Sequence, residues 1–519
     1  MTNSKKYLLI PSIPTPNGRL HLGHIGGPFL SADILARYLR TRGHSAWIIS
    51  GTDSFESYAA GKAEEEHRSP EETCNYYHPL IEEDLRLMGI QMDLFINPLK
   101  APWKYLYQHW HHNIYNQLIN NGTTLVIKEK FPWDEDNQRY LSGYWLKGDC
   151  PICRKKTASY FCENCGTHFR PEELIQEDAF NQKEVENIFL KLPNGINLSS
   201  KGVSKEIQAI FHNYLERQNQ ILRLTTFCDW GLADPNDKTR TLFSYGFVFA
   251  YFLMIGEIAG QLIGINRNAF ASDSDVITIS SFGIDNSIPF LSSSIGISSA
   301  CPQYKPFDYY LVNYFYYLDG NKFSTSRQHM IGVEDIITCK ELSSDLVRLF
   351  LAAIDVRHQT GDFLTDEFIY YYNQTVDWLE ELVITGIQNI APPTVCDNFF
   401  KDELNELLKT QECALQPENY LPHLAVNAIN HWIIQGKQLN QDSKHYFWWL
   451  KGLSLVIYPF MPNLGQTIWE SLGYENSPRI KDFFALPLHS IQKNVPINRN
   501  RISQELMFIK EEHDDEIIV

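Results

Sequence analysis

The feature that most constrains this fold is a strand–loop–helix–strand pattern at the start of the chain. The apolar run Lys6–Pro11 predicts a short buried strand, and Trp47–Ile49 predicts the next one. Between them, the segment Ile25–Leu39 carries its apolar residues at helical spacing. Two strands joined by a helix favour a parallel pair, so the sequence predicts an α/β fold built on a parallel sheet.

The loop between the first strand and the helix has the sequence PTPNGRLHLGH, over residues 14–24. In open α/β sheets, ligands bind at the carboxyl ends of strands, where helix N-termini attract anions. Two imidazoles there, His21 and His24, can donate hydrogen bonds to triphosphate oxygens. Gly23 lets a flat base approach the backbone. Asp53, after the second strand, either binds an ammonium group or caps a helix.

Composition bounds the class of protein. A chain of 519 residues is too long for one core and suggests three or four domains. The net charge of −17 argues against a general nucleic-acid binder but leaves room for a local basic face. The longest apolar stretch, Phe247–Gly256, is too short to span a bilayer and predicts a buried helix. With no secretory signal visible, we expect a soluble cytoplasmic protein with no membrane partner.

Four of the ten cysteines have metal-site spacing. Two C-x2-C pairs with eight intervening residues suit one tetrahedral zinc ion, and four thiolates leave no open coordination position. Disulfides are the alternative, which a reducing compartment disfavours. We therefore predict a structural zinc site formed by Cys150, Cys153, Cys162 and Cys165.

Taken together, these motifs resemble the class I aminoacyl-tRNA synthetases of the methionyl type. The resemblance rests on PTPNGRLHLGH, on Gly-Thr-Asp at 51–53, on the knuckle segment CENCGTHFRPEELI and on NKFSTSR at 321–327, which is similar to the mobile KMSKS loop. It implies a Rossmann catalytic domain, interrupted by a zinc-bearing connective insertion, that forms an aminoacyl adenylate from ATP and Mg²⁺.

The resemblance also implies roles for single residues. The predicted catalytic residues are His21, His24, Lys322 and Ser326, and the predicted ATP-binding residues are Asn17, Gly23, Lys322 and Ser324. Asp53 would hold the α-amine of the amino acid. One position departs from the pattern, because Thr325 stands where the family has the second lysine of the loop, and a threonine can only hydrogen-bond to phosphate.

The amino-acid pocket departs further from the family. The resemblance places the pocket at Ser12, Ile13, Thr15, Asp53, Leu242, Tyr245, Phe249 and Leu291. The family has a strand similar to W-F-D-A-P-I-G-Y, where this chain has LFSYGFVF at 242–249, and its pocket histidine corresponds to Leu291. Because pocket shape and polar pairing set selectivity, we hypothesise a substrate other than methionine alone. Sequence drift in a poorly aligned stretch is the alternative.

The C-terminal part predicts a helical bundle. A helix is expected from Thr365 as its cap through Val383, and amphipathic stretches follow at Leu424–Ile434 and Tyr446–Ile457. By resemblance this is the anticodon-binding domain. The family's base-reading positions correspond to Leu382, Gly386 and Leu439, which lack the donors or the stacking face needed to read bases, so we expect weakened anticodon recognition.

These observations predict a domain order. The expected divisions are a catalytic domain at 1–120 and 226–335, a connective insertion at 121–225, a stem-contact linker at 336–365, a helical domain at 366–495 and a charged tail at 496–519. Three functions stay open. The first is a paralogue that activates another amino acid and passes it to an unusual tRNA, a small amine or a carrier protein. The others are an authentic methionine–tRNA ligase and a non-catalytic regulatory paralogue.

Overall fold

The computed structural model describes most of the chain. The described residues are 4–162, 165–175, 181–199, 201–323, 329–338, 342–391, 393–396, 398–440 and 444–503. Ser324, Thr325 and Ser326 of the loop that follows Lys322 lie outside them.

The first part of the chain alternates strands and helices, as predicted. Its elements are β1 (Lys6–Pro11), α1 (Leu22–His24), α2 (Leu30–Thr41), β2 (Ser45–Gly51), α3 (Ser57–Glu65), α4 (Pro70–Leu87), β3 (Leu94–Ile96) and α5 (Trp103–Asn120). A π-helical turn, Ile25–Phe29, joins α1 to α2. It brings the backbone close to its neighbours, since a Cβ on Gly27 would lie 2.7 Å from Nδ2 of Asn313.

An antiparallel region follows, within the predicted connective insertion. Its elements are β4 (Thr124–Asp134), β5 (Arg139–Tyr140), β6 (Lys147–Asp149), β7 (Lys156–Ala158), β8 (Asn181–Lys191), α6 (Lys205–Arg217) and β9 (Ile221–Arg223). The long strands β4 and β8 pair from Thr124–Leu190 to Trp133–Asn181. Arg223 and Glu129 form a buried ion pair in this region. The cysteine-bearing segment lies between β6 and β8.

The chain then returns to the sheet that contains β1, β2 and β3. This part contains β10 (Thr225–Thr226), β11 (Leu232–Ala233), β12 (Thr241–Leu242), α7 (Ser244–Ile263), β13 (Val276–Gly283), α8 (Ser287–Ala300) and β14 (Tyr309–Asn313). The strand expected over residues 242–249 is wrong, because the chain leaves β12 at Leu242 and becomes helical at Ser244. The helix extends to Ile263 and is apolar on all faces from Phe247 to Gly256, so this stretch has no polar–apolar period that would distinguish a strand from a helix.

Helix α7 is also the one described helix long and apolar enough to cross a membrane, but 78% of its apolar window is buried in protein. This agrees with the buried helix predicted for Phe247–Gly256.

Five parallel strands form the central sheet, in the order β14–β13–β1–β2–β3. The chain runs outward in one direction through β1, β2 and β3, then resumes on the other side of β1 with β13 and β14. The order reverses between β1 and β13, and a crevice forms at such a point beyond the carboxyl ends of the strands. The predicted Rossmann-type architecture is confirmed.

A small second sheet links this domain to the C-terminal helices. It consists of β15 (Tyr316–Leu318), β16 (Asn321–Lys322) and, beyond α9 (Val333–Thr338) and α10 (Ser344–Ala353), β17 (Gly361–Phe363). The aromatic-rich run Tyr309–Leu318, whose composition predicts one strand, is therefore two strands in different sheets. They separate at Tyr314, whose N–H donates to the carbonyl of Val356 rather than to a neighbouring strand.

The remainder is helical, as predicted. The helices are α11 (Thr365–Trp378), α12 (Thr385–Asn389), α13 (Asn398–Ala414), α14 (Pro422–Gln438), α15 (Lys444–Ile457) and α16 (Pro462–Ser471), with a π turn at Leu379–Ile384. Thr365 is not the side-chain cap that we expected. Asp319, from the turn after β15, instead accepts hydrogen bonds from the N–H and the hydroxyl of Thr365.

Candidate functional site

The candidate site lies where three neighbouring strands of the central sheet end. The loop carrying His21 and His24 follows β1, Asp53 follows β2 by two residues, and Asp285 follows β13 by two residues. Because parallel strands share their carboxyl edge, these side chains converge on the crevice at the switch point.

The two histidines form a compact pair. Their rings stack with centroids 3.7 Å apart. Each ring Nδ1 also accepts a backbone N–H from the other residue, at 3.3 Å for His21 and 3.4 Å for His24. His21 caps the short helix α1, so both rings are fixed at its N-terminus. This geometry leaves the Nε2 side of each ring to donate a proton to an anion.

The second half-site lies against this pair. Phe323 stacks on His21 with ring centroids 5.2 Å apart, and it follows Lys322 directly. The ammonium of Lys322 lies 4.0 Å from the ring centroid of Phe315. Past the undescribed loop, the backbone returns to the histidines, since the N–H of Leu22 donates to Ile331 and His21 bridges to Gly332. The structure therefore brings together segments about three hundred residues apart.

Both imidazoles are poised in the neutral form. Burial lowers the pKa of His21 well below its usual value, with added repulsion from His24 and Lys322. Surrounding protein, and then the charge of Lys322, lower the pKa of His24 to about 4. His24 nevertheless keeps part of its surface exposed to solvent. A neutral imidazole at pH 7 can take up positive charge when a triphosphate binds.

Arg19 holds the histidine loop in place. Its guanidinium binds the buried carboxylate of Asp84, with Nε 3.1 Å from Oδ1, and reaches Glu334 at 3.0 Å. The same Asp84 accepts the N–H of Leu20 at 2.9 Å. Asp84 is on α4 and Glu334 is on α9, so one side chain ties the loop to both flanking helices.

Asp53 is buried at the edge of the crevice, with 7% of its surface exposed. Burial raises its pKa well above the usual range and the charge of Glu56 adds to this, while the N–H of Phe55 and the hydroxyl of Ser244 oppose it. Its own N–H donates to Pro14, so the two loops beyond β1 and β2 are joined.

The remaining predicted residues on the first loop are half-buried along the same crevice: Ser12, Ile13, Thr15 and Asn17. The N–H of Ser12 donates to Ser281 at the end of β13. Thr15 accepts the N–H of Asn17, which keeps the turn tight. Gly23 is needed for the packing of this site, because a Cβ there would lie 3.1 Å from the His21 ring and 3.3 Å from Phe323.

The residues predicted for the far wall of the pocket separate into two groups. Leu242 is in β12 and lines a narrow cavity with Glu56 and Ser244, and Tyr245 lines the adjoining cavity. Phe249 and Leu291 are fully buried in the core between α7 and α8. Phe249 packs against Phe270 and Phe307, with ring centroids 5.3 Å and 6.1 Å away.

The four knuckle cysteines converge as predicted. All four Sγ atoms lie within 4.8 Å of one another. The Cys150–Cys165 and Cys153–Cys162 pairs are 3.7 Å and 3.5 Å apart. A tetrahedral ion with bonds of about 2.3 Å to sulfur requires sulfurs about 3.8 Å apart, so the donor set fits zinc. The N–H groups of Ile152 and Cys153 also point at Sγ of Cys150, which stabilises a thiolate there.

The positions aligned with anticodon readers lie inside or beside the helical bundle. Leu382 and Gly386 are buried, and Leu439 is half-buried at the end of α14. The hydroxyl of Tyr446 donates to the carbonyl of Leu382 at 2.8 Å. Its ring covers Gly386, where a Cβ would lie 2.5 Å from the ring edge.

Sequence reasoning missed several residues of this site. They are Arg19, Phe323 and Glu56, and the bond from Nε1 of Trp230 to the carbonyl of Ser54 was not foreseen either. Arg19 and Phe323 lie within or beside the motifs that were recognised, and Glu56 is three residues after Asp53. Because the residues that they contact are distant in sequence, the sequence indicated them only through their position close to a recognised motif.

Comparisons with known proteins agree with this geometry. Residues 7–383 match the family described as tRNA synthetases class I (M). The methionine–tRNA ligases of Thermoplasma volcanium and Thermoplasma acidophilum are 25% and 26% identical, each over 90% of this chain and 92% of the relative. A solved structure of Mycobacterium tuberculosis methionyl-tRNA synthetase bound by methionyl-adenylate has a TM-score of 0.71 at 13% identity, covering 95% of this chain and 99% of that one.

Proposed function

This chain belongs to the class I tRNA synthetases of the methionyl group, and we propose that it activates an amino acid other than methionine as an aminoacyl adenylate. The observation that carries the proposal is the convergence of His21, His24 and Lys322 at the switch point of the sheet, beside a pocket whose walls differ from those the resemblance implies.

The chemistry needs no protein nucleophile. An oxygen of the amino-acid carboxylate bonds to the α-phosphorus of ATP, and the bond from that phosphorus to the bridging oxygen breaks as pyrophosphate leaves. His21 and His24 donate protons in hydrogen bonds to phosphate oxygens, and Lys322 attracts the leaving pyrophosphate. Mg²⁺ bound to ATP would neutralise phosphate charge. Asp53 orients the α-ammonium of the amino acid.

The pocket supports a changed substrate. The resemblance places a tryptophan at Leu242, an alanine at Tyr245 and a histidine at Leu291. A smaller residue in β12 and a larger, hydroxyl-bearing residue at the start of α7 alter both the shape and the polarity of the wall. Because selectivity follows shape and polar pairing, such a pocket should select a different side chain.

The helical domain supports a non-standard acceptor for the aminoacyl group. With Leu382 and Gly386 packed under Tyr446, these positions present no donor to an RNA base. An unusual tRNA, a small amine or a carrier protein could then take the aminoacyl group. We further propose that Cys150, Cys153, Cys162 and Cys165 hold a structural zinc ion, and that the enzyme acts in the cytoplasm.

A second candidate is an authentic methionine–tRNA ligase, which is favoured by relatives that match over most of their length. A third is a regulatory protein that binds ATP without turning it over. The intact arrangement of His21, His24 and Lys322 counts against the third.

ATP–pyrophosphate exchange with a panel of amino acids separates these candidates. We expect exchange with an amino acid other than methionine, and loss of exchange in Lys322→Met but not in the exposed control Lys100→Met. Exchange with methionine alone, followed by charging of tRNA, would favour the second candidate. ATP binding without exchange, across the whole panel, would favour the third.

A further inference from the structure

A second carboxyl group lies near Asp53 in the candidate amino-acid site, and the activation chemistry described above does not use it. Glu56 follows Asp53 by three residues and is 3% exposed. The charge of Glu56 contributes to the raised pKa of Asp53, so the two groups are within electrostatic reach. Both residues follow β2 at the carboxyl edge of the central sheet, a position that the strand order fixes independently of either carboxyl group.

Neither acid has a cationic partner within the part of the chain that the structure describes. Glu56 accepts the hydroxyl of Ser57 at 2.9 Å and the N–H of Tyr58 at 2.5 Å. Burial raises the pKa of Glu56 to about 7, and no lysine, arginine or histidine of the described residues offsets this. Two buried carboxyl groups without a counter-charge are unfavourable when ionised, unless a ligand supplies a cation.

Glu56 also lines a small cavity, of about 20 Å³, together with Ser142, Cys228, Leu242 and Ser244. This is room for a group the size of one water molecule or one ammonium. Two of these lining residues, Leu242 and Ser244, belong to the segment where the resemblance places the side-chain pocket of the substrate. The pocket wall in this chain therefore includes a carboxyl group.

The adjoining cavity is acidic as well. It shares Tyr160 and Phe243 with the first and is lined by Tyr245. Burial raises the pKa of the Tyr245 hydroxyl well above its usual value, and Glu56, Asp53 and Asp285 all add to the rise. Three carboxyl groups therefore act on one part of the site, an environment that favours a cation and disfavours a thioether.

We propose that Asp53 binds the α-ammonium of the substrate and that Glu56 binds a second ammonium, at the end of its side chain. The substrate is thus a diamino acid of the lysine, ornithine or 2,4-diaminobutyrate class. This inference rests on the proposed amino-acid activation and names the substrate of that same site.

If Glu56 served only to cap α3, its charge would not affect which amino acid the enzyme prefers. Glu56 caps α3 through the N–H of Tyr58. Glutamine keeps an acceptor oxygen for that N–H but loses the charge, so Glu56→Gln preserves the cap and removes the ammonium site. Glu82→Gln is the matched control, because it removes the same charge from an exposed position on α4.

The test is ATP–pyrophosphate exchange with lysine, ornithine, 2,4-diaminobutyrate, norleucine, glutamine and methionine. We expect kcat/KM for a diamino acid to exceed that for norleucine by on the order of 10²–10³-fold. This is the size of effect that follows when one partner of a buried charged pair is removed. Glu56→Gln should lose a similar factor for the diamino acid only, while Glu82→Gln keeps the wild-type preference. In the wild type, KM for the diamino acid should fall as pH rises through about 7, where Glu56 ionises, and Glu56→Gln should lose this dependence.

Calorimetric binding of the same amino acids distinguishes failure of this inference from failure of the proposed function. Binding of a diamino acid that depends on Glu56, without any exchange, supports the inference and refutes the ligase. Exchange with methionine or norleucine that equals or exceeds exchange with every diamino acid refutes the inference and leaves the ligase intact. If Glu56→Gln does not fold, the comparison of diamino acids with norleucine in the wild type decides. Absence of both binding and exchange refutes both.

Discussion

Arg348, which joins the N-terminal α/β region to the helical bundle, should be among the most sensitive positions in the protein. It is fully buried on α10. Its guanidinium binds Asp33 on α2 at 2.6 Å and donates to the carbonyls of Phe460, Pro459 and Met88 at 2.9, 3.1 and 3.1 Å. The perturbation is Arg348→Met, which keeps much of the apolar volume and removes every donor.

The structure sets the magnitude. Asp33 keeps two donors after the change, Arg37 at 2.8 Å and the N–H of Gln91 at 2.9 Å, so its charge is not left wholly uncompensated. Three buried carbonyls nevertheless lose their donor from Arg348. Breaking a buried pair typically destabilises a protein by about 3–5 kcal/mol, and we expect Arg348→Met to fall in this range. Asp33→Asn should be at least as severe, because it leaves two guanidinium groups without a carboxylate.

The assay is denaturant unfolding followed by tryptophan fluorescence. Trp432, Trp448, Trp449 and Trp469 are all fully buried in the bundle and report on it. Arg86→Met is the control, since Arg86 is 71% exposed and its pair with Glu83 spans 3.8 Å. We expect the control to change stability by less than about 0.5 kcal/mol. Equal midpoints for Arg348→Met and Arg86→Met would refute the reasoning.

Three further predictions concern the sites themselves. Cys153→Ser should reduce bound zinc from one ion per chain to nearly none, measured by plasma mass spectrometry, while the exposed Cys413→Ser should retain it; unchanged zinc in the first variant would contradict a four-thiolate site. Gly23→Ala should slow pyrophosphate exchange by up to about 10²-fold, because its Cβ would lie 3.1 Å from the His21 ring and displace it, whereas Gly18→Ala has nothing within 4 Å and should have little effect. The pKa of His24 is about 4 in the folded protein and near 6.5 in the unfolded chain, so between these pH values the unfolded chain binds more protons. The contribution of His24 to the folding free energy is therefore fully present above pH 6.5 and is lost as the pH falls towards 4. Thermal unfolding of His24→Asn should show a smaller loss over the same window, and an identical pH profile would contradict this assignment.

Much of the fold was predictable because its signals are local. The order of β1, α2 and β2 follows from apolar periodicity within the first fifty residues, and the cysteine spacing fixes the knuckle without reference to the rest of the chain. The loop between β1 and α1 was recognised as a phosphate-binding segment for the same reason. Each of these inferences needed only neighbouring residues.

The errors have a physical cause as well. The segment at 242–249 was expected to be a strand, but a run that is apolar on every side has the same composition in a buried strand and in a buried helix. The continuation to Ile263 settles the choice, since a strand of that length is unusual. Similarly, the cap of α11 comes from Asp319, which is 46 residues away and gives no local signal.

Contacts between distant residues account for what the sequence could not provide about the site. Phe323 stacks on His21 across about three hundred residues, and Arg19 meets Asp84 and Glu334 from two different helices. The spacing of single residues cannot reveal such contacts, because each depends on the path of the whole sheet. The motifs therefore located the site but did not give its electrostatics.

The two halves of the site rest on different contacts, and this bears on how its specificity can change. The histidine loop is held by Arg19 and by the backbone around Ile331 and Gly332. The loop that carries Asp53 and Glu56 is held by Trp230, through its bond to Ser54. The two loops are also joined through the N–H of Asp53, which donates to Pro14. Because that bond involves main-chain atoms alone, side chains of the amino-acid pocket can change without breaking it, and the groups proposed to bind ATP should keep their positions. On the proposed function, Glu56→Gln should therefore alter amino-acid preference while leaving the affinity for ATP unchanged, as measured by ATP titration of the variant and the wild type.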